Sequence, residues 1–392
     1  MKKLKQYWRQ QRHLLYLLQL EEYRGKRFLA WLAGNDINRL QEENSRLKVT
    51  PRIIATLLLS LPWQIFFSPS RAIFFANYFL TRVFALIEFL LVFLAGTKLK
   101  FYPNLIKIVV TGSYGKTTFK EALFEVLAKK HVVLKTPGNV NTSLAIAWLI
   151  LTKLNHHQVL IVEAGAYGPG EIKKIARMIR PNFGVITVFG LMHLERFGSQ
   201  EKIRQAKMEL AEFVSRPGRF FRPRENDEMI NFETTIIAIA EQLGIDRRQA
   251  RKYYRQVGPP DRRMKTTKVS PLLTVIDDSY NANPIGFQRS LAKLAQFKDK
   301  QKIVITMGLV ELGDQQGPIN KQIAQKSADI ADVFIIARRV NRLALEAGLK
   351  ESTKKIIIDY LPQGIGWQEA IKKYLNKPTV VLLANGLPDH YF

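Results

Sequence analysis

The segment LIKIVVTGSYGKTT, residues 105–118, constrains the fold most. Ile106, Ile108, Val109 and Val110 form an apolar run of strand length, and TTFKEALFEVLAKK, which follows the glycine-bearing turn, has the character of a helix. Strand, glycine loop and helix in that order form a place for phosphate. Backbone N–H groups and the helix N-terminus face an anion, Lys116 adds a point charge, and Thr117 offers a hydroxyl to Mg²⁺. Gly112, Gly115 and Thr118 complete the loop. The strict phosphate-loop spacing requires glycine at position 110, where this chain has Val110. Read locally, a plain glycine-rich strand–helix turn therefore stays open beside the nucleotide site.

The rest of the chain repeats the α/β alternation. HVVLKT, QVLIVEAG and FGVITVFG read as strands, and GEIKKIARMIR as a helix among them. A second α/β unit starts near Leu272, with LLTVIDD, KIVITMG, VFIIA and PTVVLLANG as strands and FQRSLAKLAQF and INKQIAQKSADIA as helices. Such alternation predicts a parallel sheet wrapped by helices. The basic, proline-bearing RPGRFFRPREND reads as a loop or joint.

Charge sets the chain's surroundings. Lys+Arg 60 against Asp+Glu 33 gives a formal net charge of +27, which calls for a polyanionic neighbour, nucleic acid or an anionic membrane surface. Cysteine is absent, which excludes disulfides, thiolate zinc sites and cysteine nucleophiles. The first 32 residues are basic and amphipathic, without a clean apolar core and small-residue cleavage site. Residues 53–96 are strongly apolar, and Ala72 to Gly96 is long enough to cross a bilayer. Arg82 and Glu88 inside that stretch are expensive at mid-membrane, and basic residues flank it on both sides. Three readings follow: a span, an interfacial or re-entrant hairpin with both flanks cytoplasmic, and a buried helix pair.

Further motifs follow the phosphate loop in a fixed order: TPGNVNTSLAIA, VEAGAYGPGEI, HLERFGS, AKMEL, DDSYNANP and ELG. With TGSYGKTT they resemble the Mur ligase family over about residues 105–392. HLERFGS, YNANP and ELG together resemble its D-alanyl-D-alanine-adding branch. The resemblance implies a P-loop central domain with a parallel sheet at 105–265 and a Rossmann-like C-terminal domain at 266–392; before them, residues 1–104 read on their own as a helical region of basic amphipathic helix and apolar, membrane-associated segment. It implies ATP and Mg²⁺ as cofactors. A carboxylate of a peptidoglycan precursor is phosphorylated, and an amine, D-alanyl-D-alanine or a similar one, then displaces phosphate. In this reading Lys116 holds the β- and γ-phosphates and Thr117 one Mg²⁺, while Glu163 and His193 hold a second. Lys207 takes the place of the family's carbamylated lysine, whose carbamate helps bind metal; Lys116, Lys207 and His193 are the catalytic group. Asn231 matches the adenine contact, Arg262 or Arg263 the arginine that reaches the phosphates, and Asp278 the ribose contact. Asn139, Asn141 and Thr142 in the second motif, and Tyr280, Asn281 and Asn283 in the sixth, border the substrates.

Two departures from the family pattern carry meaning. The uridine-nucleotide-binding N-terminal domain has no counterpart; the basic helix and the apolar stretch stand in its place. This points to an enzyme at the cytoplasmic face of the cell membrane, taking a soluble uridine-linked or a lipid-linked precursor, with anionic membrane lipid as a further partner. The interval between Lys207 and Asn231 is also short, which predicts a reduced central sheet. A Mur-like, ATP-binding membrane scaffold is the competing reading. A nucleic-acid-dependent ATPase rests on charge alone, so no nucleic acid partner is expected.

Overall fold

A computed structural model describes the chain apart from residues 1, 22, 41–46, 139, 167, 191–193, 215, 217, 225–226, 228, 259–263, 280–282, 363–364 and 386–392. Four helices come first: α1 (Lys2–Leu20), α2 (Gly25–Gly34), α3 (Pro51–Trp63) and α4 (Pro69–Lys100). Pro51 and Pro69 stand in first turns, where a missing N–H is no loss, and Thr50 caps α3 by accepting from the Ile53 amide at 3.2 Å. Leu14, Leu17 and Leu18 of α1 pack with Phe28, Ile53 and Ile73 into a small core.

At 32 residues α4 is about 48 Å long, and among the described residues it is the one helix long and apolar enough to cross a membrane, by length and composition. It is two-faced. Ala72, Ile73, Ala76 and Leu80 are buried on the N-terminal bundle, and Ala95 and Leu99 on the domain that follows. Asn77, Glu88 and Lys98 are partnered within the protein. The Asn77 amide donates to the Tyr23 carbonyl at 2.8 Å, Glu88 pairs with Lys174 at 2.5 Å and accepts from the Ser143 hydroxyl, and the Lys98 ammonium donates to three carbonyls. Glu88, costly in the sequence-based picture of a free span, is thus held against the next domain. The outer face is apolar and open: Phe79, Leu86, Phe89 and Phe93 are each at least 60% exposed. The reading of a wholly buried helix pair fails on this face.

The second domain runs β1 (Ile106–Thr111), α5 (Lys116–Leu127), β2 (Val133–Lys135), α6 (Ser143–Lys153), β3 (Val159–Glu163), α7 (Glu171–Ile179) and β4 (Phe183–Ile186). It continues through α8 (Leu194–Phe197), α9 (Gln200–Met208), β5 (Phe220–Phe221), α10 (Phe232–Gln242) and α11 (Arg247–Arg255). Its parallel five-stranded sheet has the order β2-β3-β1-β4-β5. One face is covered by α4, α6, α7 and α9, the other by α5, α10 and α11. The edge strand β5 lies inside RPGRFFRPREND, which the sequence reads as loop. It forms because Gly184 of β4 leaves room: a Cβ there would lie 2.8 Å from the Val214 side chain and 3.0 Å from the Phe220 ring.

The third domain has β6 (Lys265–Lys268), β7 (Leu273–Asp278), α12 (Pro284–Ala295), β8 (Gln301–Thr306), α13 (Gln316–Ile330), β9 (Val333–Ile336), α14 (Arg342–Lys350), β10 (Ile357–Tyr360) and β11 (Thr379–Ala384). Its sheet is mixed, in the order β10-β9-β8-β11-β7-β6, with β6 antiparallel to β7. The α/β class and the reduced central sheet expected from the sequence are both present.

Lys98 ties α4 to the end of α6: its ammonium lies 3.0, 3.0 and 2.8 Å from the Ile150, Leu151 and Leu154 carbonyls. These carbonyls at a helix end lack partners within the helix, and a cation there also meets the negative end of the dipole. Lys98→Met keeps the stem and removes the donor, so denaturant titration of the full chain should show a loss of about 1–3 kcal/mol. An unchanged midpoint would show that the contact contributes nothing.

Candidate active site

The loop between β1 and α5 owes its shape to two glycines. Gly112 has φ +145°, and a Cβ there would fall 2.0 Å from the Thr187 hydroxyl oxygen. Gly115 has φ +75°, and its Cβ would meet the Phe232 ring at 2.8 Å. Both backbones are in the region that favours glycine. The loop is pinned from beneath. The Ser113 hydroxyl donates to the Gly190 carbonyl at 2.8 Å and accepts from the Gly190 amide at 2.9 Å, and the Thr187 hydroxyl donates to the Tyr114 carbonyl. Thr117 and Thr118 lie in the first turn of α5. Lys116 is folded over the loop, its ammonium donating to the Gly112 carbonyl at 2.9 Å.

Glu163 and Lys207 come to this loop from elsewhere. Glu163 ends β3, next to β1 in the sheet, and Lys207 is in the last turn of α9; they are 2% and 4% exposed. The Lys207 amine is pushed down to about 7, first by burial and then by the charge of Lys116. Lys120, one turn after Lys116, is fully buried, with its ammonium 3.3 Å from a Glu163 carboxylate oxygen and 2.5 Å from the Gly138 carbonyl. The sequence reading passed over Lys120 as part of a helix. Its signal was the spacing KTTFK, which puts a second lysine one helical turn behind the first.

These residues fit a nucleotide with its metal. Glu163 Oε2 is buried without a hydrogen bond, with the Lys120 ammonium near it at 3.3 Å, and the glycine turns bring the loop to the N-terminus of α5. Thr117 and Glu163 offer oxygen, the atom that Mg²⁺ takes as ligand. Among the described residues no group of three or more carboxylates and imidazoles forms a complete metal cluster. His193 lies outside the described residues, as do Asn139, Arg262, Arg263, Tyr280 and Asn281.

The other predicted residues divide between loop and cleft. The Asn141 carbonyl accepts from the Gly165 amide at 2.9 Å, and a Cβ on Gly165 would lie 2.7 Å from the Asn141 side chain, so the loops after β2 and β3 are fitted to each other. Thr142 is the N-cap position of α6. A cleft of about 310 Å³ separates the second and third domains, walled by Gly115, Thr118 and Phe232 on one side and Met264, Asp278 and Arg289 on the other. Asp278 is buried, accepting from the Met264 amide at 3.0 Å and from the Ser290 hydroxyl. Asn283 caps α12 by accepting from the Gly286 amide at 2.7 Å, and Asn231 caps α10 by accepting from the Thr234 amide at 3.0 Å. Each of these three side chains holds the local fold at the cleft. Sequence reasoning did not find Phe232, Met264 or Arg289, which reach the cleft through domain packing.

Comparison with known proteins agrees with this arrangement. Residues 110–257 match the Mur ligase middle domain, and residues 262–384 the Mur ligase, glutamate ligase domain. The UDP-N-acetylmuramoyl-tripeptide–D-alanyl-D-alanine ligase of Bacillus subtilis (strain 168) is 24% identical over 328 residues, covering 70% of this chain and 72% of that one. MurF from Acinetobacter baumannii, 22% identical, has the same fold over 76% of this chain and 77% of its own, with a TM-score of 0.65. MurF ligase from Thermotoga maritima, solved in complex with ADP, is 23% identical over 76% of this chain and 80% of its own, with a TM-score of 0.63. The helices before residue 105 lie outside both domain matches. With its phosphate loop, buried lysines and two adjoining domain matches in order, the chain belongs to the Mur ligase family of ATP-dependent amino-acid ligases.

Proposed function

We propose that this ligase works at the cytoplasmic face of the cell membrane and joins D-alanyl-D-alanine, or a similar amine, to the carboxylate of a muramoyl-peptide. The observation that carries the proposal is the gathering of Lys116, Lys120 and Lys207 with the buried Glu163 carboxylate around one phosphate loop. A carboxylate and a triphosphate repel each other, so their reaction needs fixed positive charge where the phosphoryl group moves. ATP with Mg²⁺ supplies that group when bound. Loop amides and Lys116 would hold the phosphates, with Lys116 exchanging the Gly112 carbonyl for phosphate oxygen. Thr117 and Glu163 would hold the metal, and the family pattern adds His193. Lys120 pairs with Glu163 from within the fold and orients it.

Lys207 supports carbamylation by its surroundings. An amine with a pKa of about 7 is partly neutral in the cell, and its nitrogen can attack CO₂ and lose a proton to give an anionic carbamate. The cation facing Lys116 would then become an anion and a metal ligand. The choice of amine and acceptor leans on the Bacillus subtilis relative. The membrane face leans on the open apolar side of α4. The scaffold alternative differs in needing ATP binding but no turnover.

Three outcomes follow. Full-length protein in lipid nanodiscs, given ATP and Mg²⁺, should release phosphate only when a muramoyl-peptide acceptor and D-alanyl-D-alanine are both present, and Lys116→Ala should abolish release. ATP binding without turnover on uridine-linked or lipid-linked acceptors, with a wider set of amines doing no better, favours the scaffold. Gly112→Ala should weaken ATP binding by at least about tenfold in calorimetry, since a Cβ cannot enter without moving Thr187; unchanged affinity would show a looser loop.

The third outcome concerns Lys207 and pH. Its folded value of about 7 lies below the ordinary 10.5, so between those values the unfolded chain holds more protons and stability rises with pH. Below about pH 7 the whole cost of burying the amine is present. Lys207→Met should therefore lose turnover yet make the unliganded protein about 1–3 kcal/mol more stable at pH 7, a gain that shrinks toward pH 10. Denaturant titrations at the two pH values measure it, and a variant less stable at pH 7 would show that Lys207 is not buried at a cost.

A further inference from the structure

We infer that the groove between α4 and α7 binds one anionic membrane lipid, with its phosphate among four lysine and arginine side chains and its chain along the apolar wall of α4. The inference rests on the membrane-face reading above and adds a site to it. The groove encloses about 690 Å³ and is separate from the nucleotide cleft. Phe89, Val92, Phe93 and Gly96 of α4 form one wall, and Met178 and Ile179 of α7 face them. The two helices run side by side: Glu88 meets Lys174 at one point, and a Cβ on Gly96 would lie 3.7 Å from the Met178 carbonyl two turns on.

Six cations and no carboxylate line this groove. Two of them, Lys173 and Lys174, are paired outside it with Glu212 and Glu88. The other four, Lys100, Lys107, Arg177 and Arg180, have no carboxylate partner among the described residues. Lys107 is held below the ordinary lysine value by burial first and by the nearby charge of Arg180 second. Cations kept together beside apolar surface are unfavourable unless an anion joins them. Helix-dipole complementarity accounts for Arg177 and Lys100, which stand in last turns, but not for Lys107 at the start of β1.

The apolar wall selects the occupant. A free phosphate would use the cations and leave Phe89, Val92 and Phe93 without a role. Phe89 and Phe93 are each 63% exposed and belong both to the groove and to the open stripe of α4, so the groove opens onto the apolar side of that helix. A lipid entering from a bilayer would bring its chain to that wall and its phosphate to the four cations. Charge and apolarity are thus complementary to one molecule.

Calorimetric titration of the full-length protein with dihexanoyl phosphatidylglycerol, below its micelle concentration, tests the site. One molecule should bind per chain, at least tenfold more tightly than dihexanoyl phosphatidylcholine or inorganic phosphate. Arg177→Glu with Arg180→Glu should weaken binding at least tenfold, and so should Val92→Trp, which fills the groove without changing charge. Lys298→Glu with Lys326→Glu, an equal charge change on exposed residues of the third domain, should change it less than twofold. Retained ATP binding shows that each variant is folded. Equal weakening by both charge pairs, or inorganic phosphate binding as well as the lipid, would overturn the inference. Flotation with phosphatidylglycerol vesicles separates it from the membrane reading. Short-chain lipid binding without flotation leaves the groove and removes the membrane face; flotation untouched by the groove variants, with no short-chain binding, does the reverse.

Discussion

The buried pair of Glu163 and Lys120 ties the catalytic half of the molecule together. Glu163 stands at the end of a central strand, Lys120 comes from the helix behind the phosphate loop, and the same ammonium holds the Gly138 carbonyl of the loop after β2. Strand, helix and loop are fixed by one cation. Burying two charges costs several kcal/mol before their attraction returns most of it, so such a pair adds little net stability. Its effect is positional. Glu163 Oε2, the oxygen 3.3 Å from the Lys120 ammonium, is buried without a hydrogen bond. A fold that spends burial on an incompletely satisfied carboxylate is consistent with a cation ligand at that place.

The apolar helix near the N-terminus is also held by polar contacts. Glu88, Asn77 and Lys98 of α4 each find polar partners on neighbouring elements, so one side of the helix is committed to the protein along its length. The other side carries aromatic and aliphatic groups that nothing in the described chain covers. Glu88 and Lys98 keep these partners only while that side of α4 stays docked on the second domain.

Much of this was legible in the sequence wherever local pattern and chemistry agree. The strand–loop–helix around Gly112 and Gly115 was plain because strand length, glycine placement and helical character pointed to the same turn. Residues whose role depends on distant partners were harder. β5 exists because Gly184 lacks a side chain, which no reading of FF between basic residues reveals. Asn231, Asp278 and Asn283 were predicted from motif order as ligand contacts, and only the fold adds that they also cap helices or hold the start of the third domain. Lys120 was hidden because a lysine in an amphipathic helix normally faces water. The groove cations were equally hidden, since Lys107 opens a strand and Arg180 ends a helix, and only the sheet brings them together.

Oxygen transfer from acceptor to phosphate tests directly whether the lysines around the loop serve carboxylate activation. The acceptor is a muramoyl-peptide with ¹⁸O in its reacting carboxylate, supplied with ATP, Mg²⁺ and D-alanyl-D-alanine. If the carboxylate oxygen attacks the γ-phosphorus and the amine then displaces phosphate, each released phosphate carries one ¹⁸O and the amide keeps the other. Unlabelled phosphate, released at the same rate with or without acceptor, would mean that water is the attacking group and that the site is an ATPase rather than a ligase.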